Sequence, residues 1–146
     1  MYTHILVPTD GSELAQNGVN HALSLAKALG SKVTIITATD PFPVSYGEGW
    51  VPSAEDYERF EEANSQVAAE LLAKIKAEAE KSGVPADTVH VPNKTAATAI
   101  VETAQRLGCN LIVMSSHGRR GIVRVLLGSQ TTEVLGHSPV PVLVVR

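Results

Sequence analysis

The residues best suited to chemistry lie in one stretch, from Val113 to Ser129, which reads VMSSHGRRGIVRVLLGS. Gly118, Gly121 and Gly128 allow the backbone to come close to a ligand. The serine hydroxyls supply donors, and a helical run follows Gly128-Ser129. A helix N-terminus behind such a loop attracts anions because its first amides have no intrahelical acceptor. Arg119, Arg120 and Arg124 add positive charge. These residues suit a phosphate grip. They suit an ordinary strand-to-helix connection as well, and composition leaves both readings open.

A second polar turn, Thr9-Asp10-Gly11-Ser12, follows the first apolar run. Asp10 can meet a ribose hydroxyl or a phosphate-bound metal, or simply cap its own turn. Ser129 and Thr131 can meet phosphates, and Ser129 can equally be an N-cap. Small Ala38 leaves room for a base. His117, inside the glycine loop, can assist a phosphate or fold the loop. Other chemistries find less support. There is no GxxxxGK[ST] phosphate loop, and TDGS does not match the dinucleotide GxGxxG pattern. The histidines at 4, 21, 90, 117 and 137 have no metal-site spacing to one another or to Cys109. Ser115-Ser116 sits in no GxSxG elbow, and Cys109 reads as a buried structural thiol.

The elements that must hold these turns alternate along the chain. Ile5-Leu6-Val7 opens a buried strand that Pro8 closes, and Ser12 caps a helix ending at Gly30. A β-branched strand runs from Val33 to Ala38. From Phe42 to Ala54 a Pro-, Gly- and aromatic-rich surface loop carries Tyr46 and Trp50, which fold onto the domain or stack on a base. A long helix spans Glu55 to Ser82, with Tyr57, Phe60, Val67, Leu71, Leu72, Ile75 and Ala79 inside and a charged side in solvent. Then come a short strand from Thr88 to Val91, a helix entered through Asn93-Lys94-Thr95 and ended by Gly108, and a strand from Leu111 to Met114. The last helix runs from Gly128 to Gly136, with an earlier start near Ile122 left open, and the final strand from Val140 to Val145. This order builds right-handed βαβ crossovers and a parallel sheet covered on both faces, with ligands expected beyond the carboxyl ends of the strands.

The chain of 146 residues is read as a single domain, residues 1–146, with 44% apolar residues and a net charge of −3. That charge gives no global attraction to nucleic acid or an anionic membrane. No signal peptide or membrane-length apolar run is legible, so a soluble cytoplasmic protein is the expectation. An apolar final strand at a sheet edge invites a second subunit, and a homodimer is expected.

Three blocks carry a family likeness: ILVPTDGS, LGCNLIVMSSHGRRG and LLGSQTTEVLGHSPVPVLVV. With them the chain resembles the universal stress protein family over nearly its whole length. ATP-binding members have a glycine, two residues, a glycine, nine residues, then glycine and serine or threonine. Here Gly118 is followed by nine residues, Arg119 to Leu127, and then Gly128-Ser129, but the first glycine position holds Ser115. The resemblance implies a Rossmann-like α/β/α open sheet of five parallel strands, order 3-2-1-4-5, that dimerises through the strand from Val140 to Val145. It implies an adenine nucleotide, ATP or AMP/ADP, with Mg2+ as the phosphate-bound ion. Asp10 would meet the ribose or that ion, with Pro8 and Thr9 beside it. Ala38 and Met114 would line the adenine pocket. Ser115, His117, Gly118, Gly128, Ser129 and Gln130 would surround ribose and phosphates, with Thr131 next to them. No general base is evident, so any hydrolysis should be slow. The expected role is a regulatory or interaction module in a stress response with an unknown protein partner. The alternative is a nucleotide-free homodimeric interaction protein of the same fold.

Overall fold

Alternation and caps decide where the elements begin and end in the computed structural model, which describes residues 1–43, 49, 51–117 and 127–146. Strand β1 (His4–Pro8) is buried on both faces: Ile5 and Val7 enter one core and Leu6 the other. Pro8, paired with Ile36, is the last residue of the strand, as expected. Helix α1 (Glu13–Leu29) starts where the Ser12 hydroxyl accepts the Ala15 N–H at 3.1 Å and stops at Gly30, whose φ of 71° only glycine adopts cheaply. Helix α2 (Ala54–Lys81) starts at a Ser53–Asp56 capping box. Helix α3 (Ala96–Leu107) ends at Gly108, and helix α4 (Ser129–His137) begins after Gly128.

Strands β2 (Lys32–Thr39), β3 (Ala86–Pro92), β4 (Leu111–Ser115) and β5 (Val142–Val145) join β1 in one parallel sheet of order β3-β2-β1-β4-β5. The expected α/β/α sheet of order 3-2-1-4-5 is therefore the observed one. Helices α1 and α2 cover one face, over Ile5, Val7, Ile35 and Val113; α3 and α4 cover the other, over Leu6, Ile36, Ile112 and Met114. No helix among the described residues is long and apolar enough to cross a membrane.

Several boundaries and faces differ from the sequence reading. The third strand is longer than Thr88 to Val91, because its pairing with β2 runs from Ala86 to Pro92. The last strand starts at Val142, since Ser138 and Val140 are spent on a turn in which the Ser138 hydroxyl donates to Val140 O. The last helix starts one residue after Gly128, and an earlier start near Ile122 lies outside the described residues. Val67 was expected inside, yet it is 62% exposed; the buried stripe of α2 is Ala68, Leu72, Ile75 and Ala79. Tyr57 is also largely exposed, packing instead against Phe42. In the Phe42–Ala54 segment Phe42 folds onto α2, while Tyr46 and Trp50 lie outside the described residues.

Candidate functional site

The β1–α1 and β4–α4 turns leave adjacent strands that diverge to opposite faces of the sheet: β1 runs into α1 and β4 leads to α4. That divergence opens a crevice beyond the carboxyl ends of the strands. A cavity of about 580 Å3 occupies it. Every residue nominated from the sequence lines this cavity except Gly118, which lies outside the described residues together with Arg119, Arg120, Gly121 and Arg124.

Each wall has its own local cause. Thr9 is buried and held by its N–H, which donates to Ile36 O at 2.9 Å; its hydroxyl accepts the Gly11 N–H at 3.2 Å. Asp10 Oδ1 accepts the Ser12 N–H at 2.9 Å, a turn cap that also fixes the carboxylate at the mouth of the cleft. The capping and ligand readings of Asp10 are thus compatible in one geometry. Across the crevice, Gly128 N donates to Ser116 O at 2.7 Å, tying the start of α4 to the end of β4. The buried Thr131 hydroxyl reinforces that tie, standing 3.1 Å from both Ser115 O and Ser116 O.

Gly128 is the N-cap, so Ser129 is not. Having no side chain, Gly128 cannot cap, and no side chain caps this helix. The first intrahelical bond is Thr132 N to Gly128 O at 3.0 Å, which places the amides of Ser129, Gln130 and Thr131 ahead of it. A Cβ on Gly128 would stand 3.1 Å from Ser116 O and 3.5 Å from the His117 ring, so any larger residue would have to push that carbonyl aside by a few tenths of an ångström. This is the cradle that a phosphate needs: amides at the positive end of a helix dipole, without a side-chain cap among the described residues. His117 adds a donor-capable atom. Its Nδ1 is 3.2 Å from the Ser116 hydroxyl, while its Nε2 is buried without a hydrogen-bond partner. A buried orphan nitrogen is costly unless a ligand meets it.

Ser115 does not create strain in place of the expected glycine. It lies within β4, and the only non-glycine with positive φ among the described residues is Asn93. The Ser115 hydroxyl donates to His117 O at 2.7 Å, so it braces its own loop. Asn93 takes φ 60° at the entry to α3, the backbone state glycine would supply there and the one asparagine tolerates best after it. Lys94 turns to Glu102 on the exposed side of α3 and does not line the cavity. Gln130 is partly committed: its Oε1 accepts the Ala97 N–H at 2.8 Å, capping α3 from α4. Among the described residues no group of three metal-ligating side chains exists. Cys109 is buried at the other end of the sheet, and burial pushes its thiol up to about 11, which leaves it unreactive.

Sequence reading missed the α2 wall. Phe60, Asn64, Val67 and Leu71 line the cavity at spacings of four, three and four residues, one position ahead of the buried stripe that starts at Ala68. Their periodicity was visible, but two adjacent stripes on one helix look like a single broad apolar face until the packing separates them.

The universal stress protein family matches the chain over residues 1–146. The chain belongs to that family. As a universal stress protein it is 34% identical to universal stress protein MJ0531 of Methanocaldococcus jannaschii over 146 residues, covering 100% of this chain and 83% of that one. It is 33% identical over 147 residues to a universal stress protein of Thermus aquaticus, with both chains fully covered. Among solved structures, hypothetical protein MJ0577, which shares 30% of its sequence with this chain, superposes with a TM-score of 0.84 over 99% of this chain and 96% of that one. A universal stress protein in complex with cAMP is 26% identical, with a TM-score of 0.72, over 99% of this chain and 97% of its own.

Proposed function

We propose that this universal stress protein binds an adenine nucleotide in the crevice between β1 and β4, and that binding regulates its conformation or partner contacts in a stress response. The observation that carries the reading is the uncapped start of α4 at Gly128, facing the same cavity as Asp10 and Ala38. Phosphates would lie on the amides of Ser129, Gln130 and Thr131, with Gly118 completing the loop. Asp10 would take the ribose or a phosphate-bound Mg2+, beside Pro8 and Thr9. Ala38 and Met114 would border the base, and Ser115 and His117 would close the phosphate end. The cAMP complex of a relative supports the ligand class.

The chain would act as one cytoplasmic domain that retains rather than consumes its ligand. Asp10 already accepts the Ser12 amide, and the hydroxyl–imidazole contact described at the phosphate end, Ser116 to His117 Nδ1 at 3.2 Å, has no third group orienting the ring, whose Nε2 is buried without a hydrogen-bond partner. Isothermal titration of nucleotide-free protein with ATP, ADP, AMP and cAMP, each with and without Mg2+, tests the proposal. Saturable binding of at least one nucleotide is expected. No binding by any of them would turn the reading to a nucleotide-free interaction module, and rapid Mg2+-dependent turnover would overturn the regulatory role.

A further inference from the structure

Beyond Thr39, Asp40, Phe60 and Asn64 the main cleft adjoins a second cavity of about 290 Å3. The nucleotide reading makes no use of it. Its own walls are Phe42 and Tyr57, with Glu61 at the rim. The Phe42 ring lies 4.8 Å from Tyr57, tilted by 53°, and 5.0 Å from Phe60, edge-on at 67°. Tyr57 and Phe60 thus meet Phe42 at different inclinations.

The charge around this annex has one sign. Among the described residues Asp40 and Glu61 line it, and no lysine, arginine or histidine does. The nearby cations are engaged elsewhere. Arg59 faces Glu55 at 3.8 Å and Asp56 at 3.7 Å, Lys94 faces Glu102, and His90 Nε2 is 3.0 Å from the Thr39 hydroxyl. None of the ion pairs among the described residues involves Asp40 or Glu61. A phosphate would be repelled here. A neutral apolar group would use the rings and leave both carboxylates idle. A cation carried on a carbon skeleton uses everything present: an aromatic face attracts it through its quadrupole, and the exposed carboxylates add an opposite charge that salt screens.

We propose that this annex binds a small alkylammonium cation, its carbon groups against Phe42, Tyr57 and Phe60 and its charge beside Asp40 and Glu61. The site stands next to the nucleotide cleft but is independent of it, because Glu61 and Tyr57 line only the annex.

Choline and its uncharged carbon isostere, dimethylbutanol, separate charge from shape when titrated into nucleotide-free protein by calorimetry or ligand-observed NMR. Saturable choline binding is expected, about tenfold tighter than the isostere and weakened by added salt. Glu61→Gln and Tyr57→Leu should each weaken choline several-fold, roughly the size of one exposed cation–π or charge contact, while leaving AMP affinity unchanged. Both positions are exposed, and a thermal melt verifies that each variant folds. Equal binding of choline and the isostere, absence of saturable choline binding, or choline binding indifferent to Glu61→Gln would overturn the proposal. A failure of nucleotide binding alone would leave it standing, since the choline measurement uses no nucleotide.

Discussion

Gly128 answers two demands at once, a close approach and an open helix end. Its φ of −68° and ψ of 158° are available to any residue, so backbone freedom is not what requires glycine. The requirement is space: a Cβ would press on Ser116 O at 3.1 Å, and that carbonyl is pinned by the Gly128 amide and the Thr131 hydroxyl. Gly128→Ala should therefore cost about 1–3 kcal/mol of stability by overpacking, and should weaken nucleotide binding by pushing the α4 amides away from β4. Urea unfolding and calorimetry on the variant measure both effects. Wild-type stability together with wild-type affinity would show that the cradle is looser than its geometry implies. Ser115 stands at the opposite pole. Its hydroxyl is spent on His117 O, so Ser115 acts as a brace for the loop and not as an obstacle to the ligand.

Among elements, α1 is held to β4 more closely than its sequence suggests. Gly18 lies mid-helix, where glycine costs about 1 kcal/mol relative to alanine. Its built Cβ would stand 3.2 Å from Ser115 N and 3.5 Å from the Met114 carbonyl carbon, both backbone atoms of strand β4, which give way less readily than the end of a side chain. Overpacking of about 1–3 kcal/mol outweighs the propensity gain, so Gly18→Ala should be a net loss near 1 kcal/mol. A rise in the urea midpoint would show that the propensity term wins. Gly18 also marks where legibility stops. Strand order and the four-helix alternation could be read from apolar runs, caps and family likeness, because those signals are local or shared with relatives. Ser12, Gly30 and Gly108 do in the structure what their types announced. The registers that decide Gly18, Gln130 on Ala97, and the cavity stripe at Phe60, Asn64, Val67 and Leu71 depend on how distant elements meet, which residue type alone does not encode. Nor does residue type announce the φ of 60° that Asn93 takes at the entry to α3.

At the scale of the whole molecule, acid should loosen the fold through two histidines. His4 is buried, with Nε2 2.7 Å from the Thr34 hydroxyl; burial foremost, with the Lys32 charge adding, holds its pKa below the usual histidine value, against an opposing Leu107 backbone hydrogen bond. Burial lowers His90 in the same way. The folded state therefore favours the neutral ring, and the unfolded chain takes up protons first, near pH 6.5. The stabilisation is complete above that value and is lost progressively as pH falls below it toward the depressed folded values. The urea midpoint should accordingly drop between pH 7.5 and pH 5.5, and the slope of stability against pH should flatten in His4→Gln whatever that variant's absolute stability. A slope unchanged in His4→Gln would remove His4 from the account.

The two edges of the sheet predict how copies of the chain meet. Strand β3 closes one edge with ADTVHVP, whose Asp87, His90 and Pro92 are the residues that discourage edge-to-edge pairing. Strand β5 closes the other with VLVV, which contains no charge, no proline and no polar side chain. It pairs with β4 on one side only, and Leu143 is 42% exposed. An apolar edge of this kind is a liability in a monomer, so we propose that a second copy covers it and that the protein is a homodimer through β5. Light scattering after size exclusion at micromolar concentration should give twice the chain mass of 15.4 kDa. Leu143→Lys, which sets a charge on that exposed apolar position and alters no residue lining either cavity, should shift the protein to monomer. A wild-type monomer at that concentration would defeat the dimer outright. A Leu143→Lys protein that stays dimeric would move the interface away from β5.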